Sequence, residues 1–313
     1  MEMRKLIVMK RFYFLVSLIS VLFVGNINAQ QEPMFTQYMF NSLTINPAYA
    51  GTSEYLNLNT LTRLQWVGMD GAPKTFSLTA HAPFESQKMG LGITLVSDEV
   101  GPVNNTFFTV NYAYRLRVTD QLTISMGIKG GINSYKVGLT DLSVVNEEDP
   151  HFQDNEKKLS PNLGFGFYLY ENRYFVGFSV PKLIQTTVDE QYATNDNQLK
   201  RHYFINGGYN WQINKDWVLK PSLLTKIVEG SPVSNDITVL TEYQKWLGGG
   251  LVYRVGDALG LFVFGKVYME LMIGYGYEYS LNGLSGLNSG THELMITYNF
   301  DMAMFTGKRI FKF

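Results

Sequence analysis

From about position 55 onward, apolar residues alternate with polar or small ones at a period of two, the pattern of β-strands whose two faces meet different surroundings. In 55–66 one face reads Leu56, Leu58, Thr60, Thr62, Leu64, Trp66 and the other Asn57, Asn59, Leu61, Arg63, Gln65. Phe76, Leu78, Ala80 and Ala82 alternate with Thr75, Ser77, Thr79 and His81. Phe108, Val110, Tyr112, Tyr114 and Leu116 face away from Thr109, Asn111, Arg115 and Arg117. The alternation persists to Leu294, Ile296, Tyr298 and Phe300. It predicts about fourteen strands, each near the roughly ten residues that a tilted membrane-spanning strand needs. An even number lets an antiparallel sheet close with both termini on one side.

The connections sort by parity. With the first strand starting at the periplasm, the even-numbered turns are short, around 118–120, 171–173, 214–216, 244–245 and 265–266. The odd-numbered ones are mostly long, at 136–160, 181–200, 229–235 and 281–290, with Gly256-Asp257 as the exception. Long loops on one side and short turns on the other mark a barrel, and a soluble sandwich has no reason for them. No later segment offers 18 consecutive apolar residues, so spanning helices are not expected. The fold class is therefore all-β: a transmembrane antiparallel β-barrel with long extracellular loops and short periplasmic turns. Trp66, Trp211, Trp217, Trp246 and Tyr279 fall near strand ends, where interfacial girdles sit.

Composition agrees with that class. Aromatics make up 14%, Gly numbers 29, and charged residues are only 17%, low for a soluble surface. The start reads as an export signal: Arg4, Lys5, Lys10 and Arg11, an apolar run, then Ala29 before the cleavage point. Removing it leaves 22 basic and 26 acidic residues without a basic cluster, which gives no reason to expect nucleic acid. The absence of Cys excludes a lipoprotein anchor and disulfides. The organisation expected is a signal peptide at 1–29, a periplasmic or lumenal segment at 30–52, an outer-membrane barrel at 53–300 and a periplasmic tail at 301–313.

Residues 30–51 do not alternate. Met34 to Leu43 suit one or two helical turns, Asn46-Pro47 enforces a break, and Phe35, Tyr38, Met39, Phe40 and Tyr49 need burial. Signs of catalysis are missing: no triad, HExxH or phosphate-loop spacing accompanies His81, His151, His202 or His292. No enzyme, cofactor or resident metal is expected. Gly164-Phe165-Gly166 and Gly274-Tyr275-Gly276 fit close backbone packing or room for a plug better than a nucleotide loop. The acidic run Glu147, Glu148, Asp149 reads as a solvated outer loop, with Ca²⁺ as the other possibility. Lumenal Arg63, Arg115, Arg117, Lys129, Lys220 and Lys226 are expected to pair with Glu242, Glu270 and Glu278.

Two segments carry a family resemblance: Gln37, Tyr38, Met39, Phe40, Asn41 with Asn46, Pro47, Ala48, Tyr49, Gly51, followed by Gln65, Trp66, Gly68, Asp70 and Gly71 before Ala72-Pro73. Together they resemble the PorP/SprF family of type IX secretion system outer-membrane proteins. The resemblance implies a non-enzymatic outer-membrane component of secretion and gliding motility. Its expected partners are the C-terminal sorting domain of a secreted adhesin-like protein, the periplasmic ring and motor components, and outer-membrane lipid. The Asp70-Gly71 turn and Pro73 restrict their loop, so Trp66 and Met69 are candidate partner-binding residues, as are Glu147, Glu148 and Asp149. On residues alone a passive or substrate-selective channel stays open as the alternative.

Overall fold

The computed structural model describes residues 33–84, 87–138, 155–185, 200–268 and 270–301. The expected signal peptide at 1–29, the acidic run Glu147–Asp149 and nearly all of the expected tail at 301–313 lie outside them. After the N-terminal segment come β1 (Leu56–Leu64), β2 (Lys74–Pro83), β3 (Met89–Val100), β4 (Val103–Arg117) and β5 (Thr123–Val137). Next are β6 (Glu156–Tyr170), β7 (Tyr174–Val180), β8 (His202–Tyr209), β9 (Trp211–Gln212) and β10 (Trp217–Val228). The chain finishes with β11 (Ser234–Tyr243), β12 (Leu247–Arg254), β13 (Ala258–Tyr268), β14 (Leu271–Ser280) and β15 (Thr291–Phe300).

Each strand pairs antiparallel with its neighbour in sequence. The two-residue β9 continues β8 past Asn210, both pairing with β10, so the wall has fourteen staves. It closes between β15 and β1, in register from Leu56↔Phe300 to Leu64↔His292. Closure leaves no sheet edge at that seam, the condition for a sheet in hydrocarbon. Among the described residues no helix is long and apolar enough to cross a membrane.

The alternation sorts as expected from the sequence. Ile128 is 63% exposed, Leu261 56% and Val176 53% on the outer surface, while Asn59, Ser77, Asn111 and Ser125 on the inner face are fully buried. An exposed apolar band around a closed sheet is unfavourable in water at about 25 cal/mol per Å² and favourable against lipid. Val180, the last residue of β7, departs from the pattern and is 2% exposed.

Connections 65–73, 101–102, 138–155, 181–201, 229–233, 255–257 and 281–290 share one end, the long-loop end. The other connections and both ends of the barrel chain share the short-turn end. One expected turn is misplaced. Gly265-Lys266 lies inside β13, whose pairing with β14 continues across a bulge between Lys266 and Tyr268. The wall turns instead at Glu270, whose carboxylate accepts from Lys266 Nζ at 3.0 Å. Trp211, Trp217 and Trp246 are exposed at the short-turn end, where Trp217 packs on Tyr243 with ring centres 4.9 Å apart.

Candidate functional site

The N-terminal segment goes further than the barrel mouth and fills the lumen. Three one-turn helices, Tyr38–Phe40, Ser42–Ile45 and Pro47–Tyr49, carry it from the long-loop half of the interior to the short-turn half. None is long enough to be stable alone, so their shape comes from what the wall offers them. Phe35, Tyr38 and Leu43 are buried, and Phe35 and Tyr38 pack with Leu61, Phe204 and Leu224 of the wall.

At the long-loop half the plug is held by charge. Arg63 Nη2 donates to Glu278 at 2.5 Å, and Arg63 Nη1 to Glu293 at 3.3 Å and to the Thr36 hydroxyl at 3.0 Å. Arg254 grips Asp236 through two bonds, of 3.0 and 3.1 Å, and reaches Glu278 at 3.4 Å. Register explains the contacts: Arg63 stands across from Glu293, and Arg254 across from Asp236. Two cations thus face three carboxylates out of water. The backbone amides of Thr36 and Gln37 complete the balance by donating to Glu293 at 2.9 and 2.8 Å. The plug is therefore part of the charge compensation, and removing it would take from the carboxylates three donors, the Thr36 amide and hydroxyl and the Gln37 amide.

At the short-turn half the grip is steric and polar. Asn46 Oδ1 accepts from the Ala48 amide at 2.9 Å while Asn46 Nδ2 donates to the Phe167 carbonyl at 2.9 Å. Ser125 donates to the Ala48 carbonyl and Ser179 to that of Ile45. A Cβ at Gly127 would stand 2.2 Å from the Ala48 nitrogen, and one at Gly166 2.0 Å from Asn46 Oδ1. Wall glycines thus make the seat for Asn46-Pro47-Ala48. Gly51, at φ +72°, lies against Gly90, donates to His81 Nδ1 at 3.2 Å and accepts a bond from Arg115. Asn46→Ala is expected to cost about 1–3 kcal/mol, since it removes both the cap on Ala48 and the side-chain bond to the Phe167 carbonyl. Urea unfolding of the refolded barrel measures it, and a change within 0.5 kcal/mol on the scale of ordinary surface substitutions counts against this seat.

Both motif segments are placed. Gln37 is buried with its side-chain amide beside Gly274 and Gly276, and Asn41 bonds Ser77 at 2.9 Å. Met39 and Phe40 are half-buried, with Phe40 edge-on to Phe264 at 4.8 Å. Tyr49 meets His81 and Tyr168. The second segment is a loop at the long-loop end, closed by Gln65 N donating to Pro73 O at 2.9 Å. Val67 exchanges backbone bonds with Gly290 and Ser289, the Trp66 amide donates to Thr291, and Gly101 N donates to Gly71 O. Trp66 sits at φ +48°, Gly68 at +96° and Gly71 at +69°, so the loop is held against its own backbone preference at Trp66. Trp66 and Met69 are half-buried and Asp70 is exposed. A cavity of about 420 Å³ lies within the loop, lined by Val67, Met69, Pro73, Glu99 and neighbours.

Sequence reasoning paired the lumenal charges in part. Arg63 meets Glu278, Lys220 meets Glu242 and Glu270 meets Lys266. Arg115 instead holds the Gly51 and Met89 carbonyls, and Arg117 is exposed. Asp236, Arg254 and Glu293 were overlooked, although each sits between outward-facing residues: Ile237, Tyr253 and Leu294 mark their strands' outer faces.

A closed antiparallel barrel with an apolar exterior and a polar, filled interior defines an outer-membrane β-barrel protein, here one whose lumen is occupied by its own chain. The chain belongs to the PorP/SprF family, described as type IX secretion system membrane proteins, whose model matches residues 27–298. No curated protein matches it. Among solved structures it is similar to the CymD monoaromatic hydrocarbon channel, at 11% identity and TM-score 0.48 over 87% of this chain and 95% of that one. It is also similar to Omp33 of Acinetobacter baumannii, at 9% identity and TM-score 0.47 over 80% of this chain and 100% of that one. A FadL homologue of Pseudomonas aeruginosa stands at 11% and 0.45 over 83% and 94%.

Proposed function

We propose that this barrel is a non-enzymatic docking component of type IX secretion. In this reading the long-loop end faces outward and holds the C-terminal sorting domain of a secreted adhesin-like protein for export or anchoring, as gliding motility requires. The short-turn end faces the periplasmic ring and motor. The observation that carries the reading is the plug: a lumen crossed by 33–51 and locked by buried ion pairs suits a rigid mount better than a passage. The tied loop 65–73 supplies a preformed surface, which lowers the entropy lost on binding.

Trp66 and Met69 are the anchors in this reading. The double substitution Trp66→Ala/Met69→Ala is expected to lower surface attachment of the cargo at least about tenfold, the effect of losing central apolar anchors. Whole-cell labelling of the cargo, beside the folded barrel's yield, measures it. Undiminished attachment with a folded barrel contradicts the role.

A further inference from the structure

At the short-turn end the wall and the plug enclose a cavity of about 400 Å³, within the range of small-molecule sites. The plug contributes Met39, Phe40 and Tyr49 to its lining. The wall contributes an aromatic shelf, in which Tyr168 stacks on Tyr170 with ring centres 5.2 Å apart, beside Phe175. Most of the remaining lining is amide and hydroxyl, and much of its hydrogen-bonding capacity is unspent. Ser53 and Thr297 accept through their hydroxyl oxygens, from the Tyr55 amide at 3.2 Å and from Asn59 Nδ2 at 2.6 Å. Each O–H is left to donate. Asn57 Nδ2 donates to Asn299 Oδ1 at 2.8 Å, which leaves Asn299 Nδ2 as a donor and Asn57 Oδ1 as an acceptor. Asn210 spends its amide nitrogen on the Asn172 carbonyl at 2.9 Å and keeps its oxygen. With the Glu171 carboxylate, three donors and three acceptors are without a partner among the described residues.

We propose that this chamber binds an uncharged saccharide. Every sugar hydroxyl both donates and accepts, so donors and acceptors in equal number suit it. An anion would need a cation facing it, and no Lys or Arg is among the described lining residues. His81 is taken by the Gly51 amide, which donates to its Nδ1 at 3.2 Å. An acyl chain would cover the unspent amides and hydroxyls without pairing them, which is costly. The shelf supplies what hydrogen bonds alone do not. The C–H face of a pyranose ring lies against the electron-rich faces of Tyr170 and Phe175. Two sources share this chemistry at a periplasmic opening: the glycan strands of the cell wall, and free oligosaccharides. The chamber and loop 65–73 lie at opposite ends of the barrel, so the inference does not rest on cargo docking.

The test titrates the full refolded barrel, in a detergent without a sugar headgroup, with N,N′-diacetylchitobiose and with cellobiose. Saturation-transfer difference NMR reads the binding, and at least one of the two is expected to saturate. Glucuronic acid, which brings a carboxylate, is expected to bind at least about tenfold more weakly. Tyr170→Ala is expected to weaken binding at least about tenfold and Tyr170→Phe less than about twofold, because the ring face carries the stacking. Should Tyr170→Ala fail to fold, judged by heat-modifiable mobility, Phe175→Leu replaces it, with a loss of at least about threefold expected. Glu171→Gln keeps an acceptor and is expected to stay within about threefold, whereas a site for a cation would lose its charge partner. Saturation by neither disaccharide overturns the proposal. So does equal affinity for glucuronic acid, wild-type affinity in a folded Tyr170→Ala barrel, or abolished binding in Glu171→Gln. Retention of the barrel on purified cell-wall sacculi, released by the disaccharide, assigns the site to wall glycan. Disaccharide binding without such retention assigns it to free oligosaccharide. Cargo attachment enters none of these readings, so failure of the docking role leaves them standing.

Discussion

Arg63→Ala is expected to destabilise the barrel by about 3–5 kcal/mol, the cost of leaving buried charge without its partner. Arg63 is 2% exposed and separates Glu278 from Glu293, so its removal brings two buried carboxylates together without their shared cation. Water cannot enter freely to compensate, because Thr36 and Gln37 occupy the adjoining space. The midpoint of heat-modifiable mobility in detergent is expected to fall by about 10 °C, given roughly 2–4 °C per kcal/mol for a protein of this size. Combining Arg63→Ala with Glu293→Gln is expected to recover part of the loss, because contacting residues are coupled. A midpoint within 1 °C of wild type for Arg63→Ala would show that the cluster does not hold the structure as described.

The second large effect comes from the opposite end of the plug. Gly127→Val places a Cβ about where the Ala48 nitrogen now lies, 2.2 Å away, with the Pro47 carbonyl carbon at 2.4 Å. No backbone atom there can yield by that much while Asn46 keeps its bond to Phe167. Overpacking of this kind costs typically about 1–3 kcal/mol, and here unseating 46–51 relieves it without breaking the wall. In planar bilayers the wild-type protein is expected to show no steady conductance and Gly127→Val to show stable ion steps. A silent Gly127→Val barrel with wild-type thermal stability would mean that the wall glycines are not the seat.

Most of the wall was legible because a period of two at a lipid boundary is a strong constraint. Where one face must be apolar, a one-residue slip exposes every polar side chain to lipid. That is why Thr75, Ser77, Thr79 and His81 could be placed inward from sequence alone, and all four are buried. The turn assigned to Gly265-Lys266 failed because Gly and Lys look like turn residues while the ladder simply bulges past them. The plug was only half legible. The need to bury Phe35 and Tyr38 was evident, but where they are buried depends on cross-lumen partners more than 180 residues away in sequence, such as Tyr38 with Ser222. No local pattern encodes that distance. The Gly-x-Gly pairs were the available hint, since Gly166 and Gly274 each leave the room that Asn46 and Gln37 use. The second motif segment reads locally as a turn, yet its rigidity comes from the loop 281–290, which sequence alone did not connect to it.

The most direct test of the docking account is gentle detergent extraction of the tagged protein from its native outer membrane, with identification of everything that co-purifies. The account predicts a large secreted protein held through its C-terminal domain, together with periplasmic secretion components. A barrel recovered alone, conducting ions in planar bilayers without any substitution, would contradict it and assign the protein to the channels.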